Sequence, residues 1–332
     1  MKWILLWVLG LLAGLAVVAA LAFQFSPWPA ALLIRIPFDQ GGVALHESMA
    51  HYVPSGIAET RDIAYGDGAT EVLDVFFRED ADDRQPTIVW VHGGAWISGD
   101  KDQIANYLRI LADHGYTTVG IDYAIAPGAT YPGPVRQLDT ALAFLLANAD
   151  AYRIDPQSII IAGDSAGGHI AAQYANAVTD TDYASMLGIT PALNAEHLRA
   201  MLLFCGAYNA EIVDLDGSFG WFLRSVLWAY TGDKAFDTNP ELASFSVANF
   251  VTKAFPPSFI TAGNADPLLP QSLDLAEKLA AAGVAVDTLF YPADHTPPLE
   301  HEYQFILGGE DGQMALERVV AFLEAMLDDQ AQ

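Results

Sequence analysis

From Trp3 to Phe25 the chain carries no charged residue, and Leu, Ala and Val dominate. A helix needs about 20 apolar residues to cross the hydrocarbon core of a bilayer, so this run is long enough to span one. The pattern then changes character. After a helical stretch around Gly42 to Tyr52, short apolar runs recur at intervals: Asp62–Tyr65, Val72–Phe77, Thr87–Val91, Tyr116–Ile121, Ser158–Ala162, Ala200–Phe204, Ser258–Ala262 and Val286–Tyr291. The first two alternate apolar and polar positions. From the third onward the runs are mostly apolar throughout, as strands buried on both faces should be. Helical periodicity fills the gaps, as in Val135–Asn148, Pro270–Ala282 and Gln313–Leu327. Strands alternating with helices predict an α/β chain: a mostly parallel eight-stranded sheet with helices on both faces, opening on an antiparallel hairpin. No linker-like stretch or internal repeat divides the chain. The expected organisation is a membrane segment over residues 1–30 and one catalytic domain over residues 31–332.

One region breaks the rhythm. Between Ala207 and Thr252 no strand is evident, but aromatic residues crowd together, among them Tyr208, Phe219, Trp221, Phe222, Trp228, Tyr230 and Phe245. This aromatic-rich insertion, residues 207–252, suits either plain core or a lid over a site at the end of a central strand.

The N-terminal run reads in two ways. Ala20-Leu21-Ala22 has the small-x-small form of a signal-peptide cleavage site. The apolar stretch is longer than a usual signal core, however, and only Lys2 and the amino terminus flank it. Trp28 between Pro27 and Pro29, followed by Ala30 to Ile34, reads as material lying at a membrane interface. A retained single-pass signal anchor is the expectation. Lys2 before the span places the N-terminus in the cytoplasm and the catalytic domain outside it.

Charge narrows the candidates. Among 332 residues, 15 Lys and Arg stand against 41 Asp and Glu, a formal net charge of -26. Nucleic-acid binding needs a basic surface to displace counterions from phosphates, which excludes that partner. The same field repels anions, so a neutral small molecule is the easier guest. Cys205 is the only cysteine. It rules out an intrachain disulfide, and no Cys/His cluster has zinc spacing. Its place in the apolar run Met201 to Cys205 marks it as a buried, inert thiol.

The chemistry is carried by Ser158-Ile159-Ile160-Ile161-Ala162-Gly163-Asp164-Ser165-Ala166-Gly167-Gly168. A β-branched strand runs straight into Gly163-x-Ser165-x-Gly167, and a helix (His169 to Val178) leaves it, which is the context a nucleophile elbow requires. Such a turn strains the backbone at the serine and needs small residues two positions to either side. It also exposes the hydroxyl and aims the helix N-terminus at developing negative charge. Acyl transfer needs an oxyanion site as well. Val91-His92-Gly93-Gly94-Ala95-Trp96 follows the third strand, and the N–H groups of Gly93, Gly94 and Ala166 are the candidate donors. His92 reads as a brace for this loop.

The candidate acid is Asp266, which follows the strand Ser258–Ala262 and the turn Gly263-Asn264-Ala265, at the same sheet edge as Ser165. Two histidines follow the last strand, His295 and His301, and either completes the order Ser, Asp, His. His169 lies one turn down the nucleophile's own helix and is a poor base. Pro297 and Pro298 keep the chain extended after His295 and return it to the sheet edge near His301, where Tyr303 and Phe305 can anchor it.

In combination, the His-Gly-Gly loop, Asp122-Tyr123-Ala124-Ile125-Ala126-Pro127, the Gly-Asp-Ser-Ala-Gly-Gly elbow and Asp266-Pro267-Leu268 resemble the hormone-sensitive-lipase-type esterases of the α/β-hydrolase fold, over roughly residues 60 to 325. The resemblance implies carboxylesterase or acetyl-esterase activity without a metal or organic cofactor. It also favours His301 as the base, because family members place a His followed closely by aromatic residues after the last strand, as in His301-Glu302-Tyr303-Gln304-Phe305. Two departures stand out. Ala95 replaces the third glycine of the oxyanion loop, and Ala124 and Ala126 stand where relatives carry charged residues.

The expected function is therefore hydrolysis of carboxylic esters of small neutral molecules through a Ser165–His301–Asp266 triad. The same machinery serves amidases, formamidases and lactonases, since the fold does not choose among them. A non-catalytic binding module of the same fold is the alternative of a different class. Such modules usually break a catalytic position, and none is broken here.

Overall fold

The computed structural model of the chain describes residues 2–328. Two helices come first, α1 (Lys2–Phe25) and α2 (Trp28–Met49). The strands are β1 (Ile57–Ala64), β2 (Val72–Arg78), β3 (Gln85–Val91), β4 (Thr117–Ile121), β5 (Ile154–Asp164), β6 (Leu198–Phe204), β7 (Ser258–Ala262) and β8 (Val286–Phe290). Between and after them lie α3 (Lys101–Asp113), α4 (Gly133–Ala147), α5 (Ser165–Thr179), α6 (Thr181–Leu187), α7 (Gly220–Thr231), α8 (Leu269–Ala281) and α9 (Glu310–Asp328). Among the described residues the strands form one eight-stranded sheet in the order β1-β2-β4-β3-β5-β6-β7-β8. β2 runs antiparallel to both β1 and β4, and every other neighbouring pair is parallel. This is the mostly parallel sheet expected from the apolar runs.

The uniformly apolar strands supply two cores at once. In β3, Val89 and Val91 enter one layer while Ile88 and Trp90 enter the other; in β6, Met201 and Leu203 oppose Leu202 and Phe204. Successive side chains of a strand point to opposite faces, so a strand covered on both sides must be apolar at every position. On one face α4 and α5 pack through residues such as Val135, Leu138 and Ile170. On the other, α3 and α9 pack through Ile104, Leu108, Val319 and Leu323.

Two elements differ from the expectations. β1 begins at Ile57 rather than Asp62, because a bulge interrupts its polar, alternating pattern. The register shifts between Thr60 and Ile63, Asp62 has φ +56°, and its N–H donates to Asp74 Oδ1 at 2.8 Å. The second helix starts at Trp28, well before Gly42, and passes through Pro37. Its first turns are apolar on both sides, with Ala30, Ala31 and Ile34 buried and Leu32, Leu33 and Ile36 exposed, so no 3.6-residue periodicity marks them.

Residues 207–252 contain no strand, and α7 is their longest helix. The segment both completes the core and covers the elbow region. Tyr208, Tyr230 and Phe245 are buried. Tyr230 stacks on Trp96 at 4.9 Å between ring centroids, and Phe245 packs on His169 at 4.2 Å.

Candidate active site

β5 passes directly into α5, and Ser165 at the junction has φ +50°. A left-handed conformation is costly for a residue with a Cβ, and it persists only where surrounding structure enforces it. The enforcement is close packing. A Cβ on Gly163 would lie 2.5 Å from the Gly167 carbonyl carbon, and one on Gly167 would lie 2.0 Å from Val91 O. The strand, the turn and the helix therefore touch backbone to backbone, and the two glycines are required by contact rather than by φ.

The neighbouring loop leaves the parallel strand β3 at the same sheet edge. Gly94 has φ +103°, and a Cβ there would meet Ser98 O at 2.2 Å. The N–H groups of Ile97 and Ser98 both donate to Gly94 O at 3.0 Å, closing a tight turn in which Ala95 and Trp96 also have positive φ. Ala95 thus occupies with a methyl group a conformation that glycine enters more cheaply. The loop is tied from outside. Tyr123 Oη donates to His92 O at 2.9 Å, Ala126 N donates to Trp96 O at 2.8 Å, and the Arg35 guanidinium donates to Ala126 O at 2.9 Å. The segment Asp122 to Pro127 is therefore a clamp on the glycine loop. His92 is buried, stacks on Tyr123 at 4.3 Å and lies with Nδ1 2.7 Å from Gly93 O. It braces the loop, as its sequence position indicated. The N–H of Ala166, in the first turn of α5, has no intrahelical acceptor and points from the same junction.

Asp266 follows β7, and His301 follows β8. His301 Nε2 lies 3.0 Å from Ser165 Oγ, and His301 Nδ1 lies 2.9 Å from Asp266 Oδ2. The other Asp266 oxygen accepts from Leu268 N at 2.7 Å. The two loops are laced together: Leu299 N donates to Asn264 Oδ1 at 2.8 Å, and Ala265 N donates to Leu299 O at 2.9 Å. Gly263 lets them approach, since a Cβ there would stand 2.1 Å from Leu299 O. Downstream, Tyr303 and Phe305 are buried, and Tyr303 Oη lies 2.6 Å from Thr261 Oγ1. His295 is elsewhere, 3.1 Å from Asp311 of α9 and packed on Tyr291. His169 is fully buried against Phe245 O, and burial pushes its pKa down to about 4, so it stays neutral.

Electrostatics favour a charged His301 once it accepts a proton. Burial opposes the imidazolium, the Asp266 carboxylate at Nδ1 favours it, and the pKa lies above the ordinary imidazole value. Burial also raises the Cys205 pKa and keeps that thiol neutral, so the Asp266 carboxylate supplies the attracting charge. Asp164, beneath the glycine loop, accepts from Trp90 Nε1 at 2.7 Å. Burial and the facing Glu302 push it up to about 7.

Sequence reasoning missed three contributors. Cys205 was read as an inert strand residue. It is fully buried, but its Sγ, an Asp266 oxygen and a His301 nitrogen all lie within 4.8 Å of one another. Its distance from Asp266 and His301 in the sequence hides this approach. Glu302 flanks Gly93, and α2 lines a cavity of about 100 Å³ with Phe38, Gly42 and Leu45 beside Gly93, Gly94 and His301.

The chain matches the BD-FAE family model over residues 73–279. It is 31% identical over 229 residues to the esterase LipC of Mycobacterium tuberculosis, a match covering 67% of this chain and 55% of that protein. It is 30% identical over 219 residues to an acetyl esterase of Salmonella choleraesuis, covering 63% of this chain and 64% of that protein. The chain thus spans little more than half the length of its LipC match. Among solved structures, esterase B of Lactobacillus rhamnosis superimposes with a TM-score of 0.76 at 22% identity, over 91% of this chain and 96% of that one. An esterase of Pyrobaculum calidifontis superimposes with a TM-score of 0.71 at 21% identity, over 92% and 95%. The chain has the α/β-hydrolase fold of the hormone-sensitive-lipase-type esterases and belongs to the BD-FAE family.

Proposed function

We propose that this chain is a carboxylic ester hydrolase, held at a membrane by α1, which cleaves esters of small neutral molecules through an acyl-enzyme. The observation that carries the reading is the continuous Ser165–His301–Asp266 hydrogen-bond chain at an elbow strained to φ +50°. In this reading Ser165 Oγ attacks the ester carbonyl while His301 Nε2 takes its proton, and Asp266 holds the imidazole through Nδ1. The N–H groups of Gly93, Gly94 and Ala166 receive the oxyanion. His301 then returns the proton to the leaving alcohol; a water that gives its proton to the same imidazole attacks the acyl carbonyl, and that proton passes to Ser165 Oγ as the acid leaves. Membrane attachment is supported by α1, a 24-residue helix with no buried residue that contains an 18-residue window of mean hydropathy 2.7. The cationic side chain at its start, Lys2, supports a domain on the extracytoplasmic side. Hydrolysis of p-nitrophenyl esters from acetate to long chains by the purified full chain tests the activity: turnover of the short esters is expected, and none on any ester would end the proposal.

Two further outcomes follow from the geometry. A general base must be neutral, so kcat/KM falls as pH drops through the His301 pKa. Because that pKa is raised, the acid limb lies above the ordinary imidazole value of 6.5. Asp266→Asn removes the attracting charge, so the limb moves to lower pH even as turnover falls; a pH–rate profile reads both. Gly263→Ala drives a methyl group into Leu299 O and displaces the loop that carries His301. Misplacing a catalytic group by about 1 Å can cost on the order of 10²-fold, and that loss is expected in kcat more than in KM.

A further inference from the structure

The charge-free stretch of the chain does not end with α1. No charged residue occurs between Trp3 and Ile34, and the first that follows, Arg35, turns inward to donate to Ile97 O and Ala126 O. The outward face of α2 over its first three turns therefore presents Leu32, Leu33 and Ile36. From the cavity-lining side of α2, Phe38 stacks on Phe222 at 5.6 Å, and Phe222 meets Phe219 edge-on at 6.3 Å, which packs the start of α7 beside this helix. Phe219 and Trp221 are 52% and 59% exposed, and Leu33 and Ile36 are each 59% exposed. On a chain of net charge -26, a contiguous uncharged apolar surface of this kind needs a partner.

The fold indicates which partner. The face is continuous with α1, two residues away along the chain, and Lys234 Nζ donates to Gln24 O in the last turn of α1 at 2.9 Å. Lys234, which lies over the Trp228 ring at 4.9 Å, and the exposed Trp28 stand beside the end of an apolar span, and such side chains settle at the lipid headgroup level. The opposite side of the same helix lines the cavity at Gly93 and His301 with Phe38, Gly42 and Leu45. Resting on the ester-hydrolase reading given above, we infer that the outer face of α2 and the start of α7 sit in the interfacial layer of the bilayer, and that the site takes its ester from the membrane phase. Amphiphilic esters of neutral lipids are then the substrate class. An acyl chain lying in the bilayer would reach Ser165 along α2 without crossing water.

The test uses the full chain in phosphatidylcholine vesicles. An environment-sensitive nitrobenzoxadiazole label is placed on Ile36→Cys, and a control label on Met186→Cys of α6, which lies beyond the far end of α5. Doxyl-labelled phosphatidylcholine is expected to quench the first label at least about twofold and to leave the second unchanged. Leu33→Glu with Ile36→Glu, and separately Trp221→Glu, is expected to slow hydrolysis of a vesicle-borne 4-methylumbelliferyl oleate at least about tenfold while p-nitrophenyl acetate hydrolysis stays within about twofold. An unquenched Ile36 label on a chain that sediments with the vesicles would overturn the inference. So would energy transfer between labels on two copies without quenching, which would put a second copy on this face. Equal loss on both esters in the glutamate variants would overturn the membrane supply of substrate. Quenching needs no turnover, so a wild-type chain inactive on both esters would remove the hydrolase reading while the label still decides where the surface lies.

Discussion

Ser165→Ala is expected to lower turnover of p-nitrophenyl acetate by about 10⁴- to 10⁶-fold, in line with loss of a triad nucleophile. The hydroxyl is the atom that forms the covalent bond, and no neighbouring group can replace it: Cys205 is buried behind His301 with its thiol held neutral. The same substitution should leave the unfolding midpoint nearly unchanged. Ser165 is buried, yet its Oγ has one hydrogen-bond partner, the His301 imidazole, which can turn to water. The left-handed φ of +50° is imposed by the contacts of Gly163 and Gly167, and alanine meets it at the same cost as serine. Loss of turnover together with loss of the fold would mean that the elbow depends on Ser165 itself, contrary to this account.

The second large effect separates the two histidines. His301→Ala should reduce kcat on the order of 10⁴-fold or more, because one imidazole both accepts the Ser165 proton and delivers it to the leaving alcohol. His295→Ala should change kcat little. Its ring is 3.1 Å from Asp311 and packs on Tyr291, so its loss loosens the contact with α9 rather than the chemistry. Steady-state kinetics on the two purified variants reads the difference directly. A larger loss in the His295 variant would reverse the assignment of the base.

The parts of this molecule legible in its sequence are those encoded locally. The elbow is one: strand, glycine, serine, glycine and helix are contiguous, so the motif is readable although Gly167 is held against Val91 of β3. The parallel sheet is another, since strands buried on both faces must be apolar at every position. The return of the chain to His301 was readable from Pro297, Pro298 and the aromatic pair Tyr303 and Phe305, whose burial the structure bears out. What was not legible depends on meetings between distant segments. Asp164 and Glu302 adjoin Ser165 and His301 in the sequence, but their approach to each other and to Cys205 depends on how β5, β6 and the segment after β8 pack. The role of α2 was hidden for a different reason. A helix that buries Ala30, Ala31 and Ile34 and exposes Leu32, Leu33 and Ile36 has no polar face, so its pattern merges with the apolar span before it. The loop-bracing role of Arg35 is likewise invisible until β3 and β4 place Ile97 and Ala126 beside it.

The central claim is that Ser165 is a nucleophile activated by His301, and a fluorophosphonate tests it most directly. Such a probe phosphonylates a serine only where a base withdraws its proton and donors receive the phosphoryl oxygen. The full chain, treated with the probe and digested, is expected to carry one adduct, on the peptide containing Ser165. Labelling should be lost in His301→Ala and retained in His295→Ala. An intact chain that takes up no probe, or takes it up on another serine, would contradict the account.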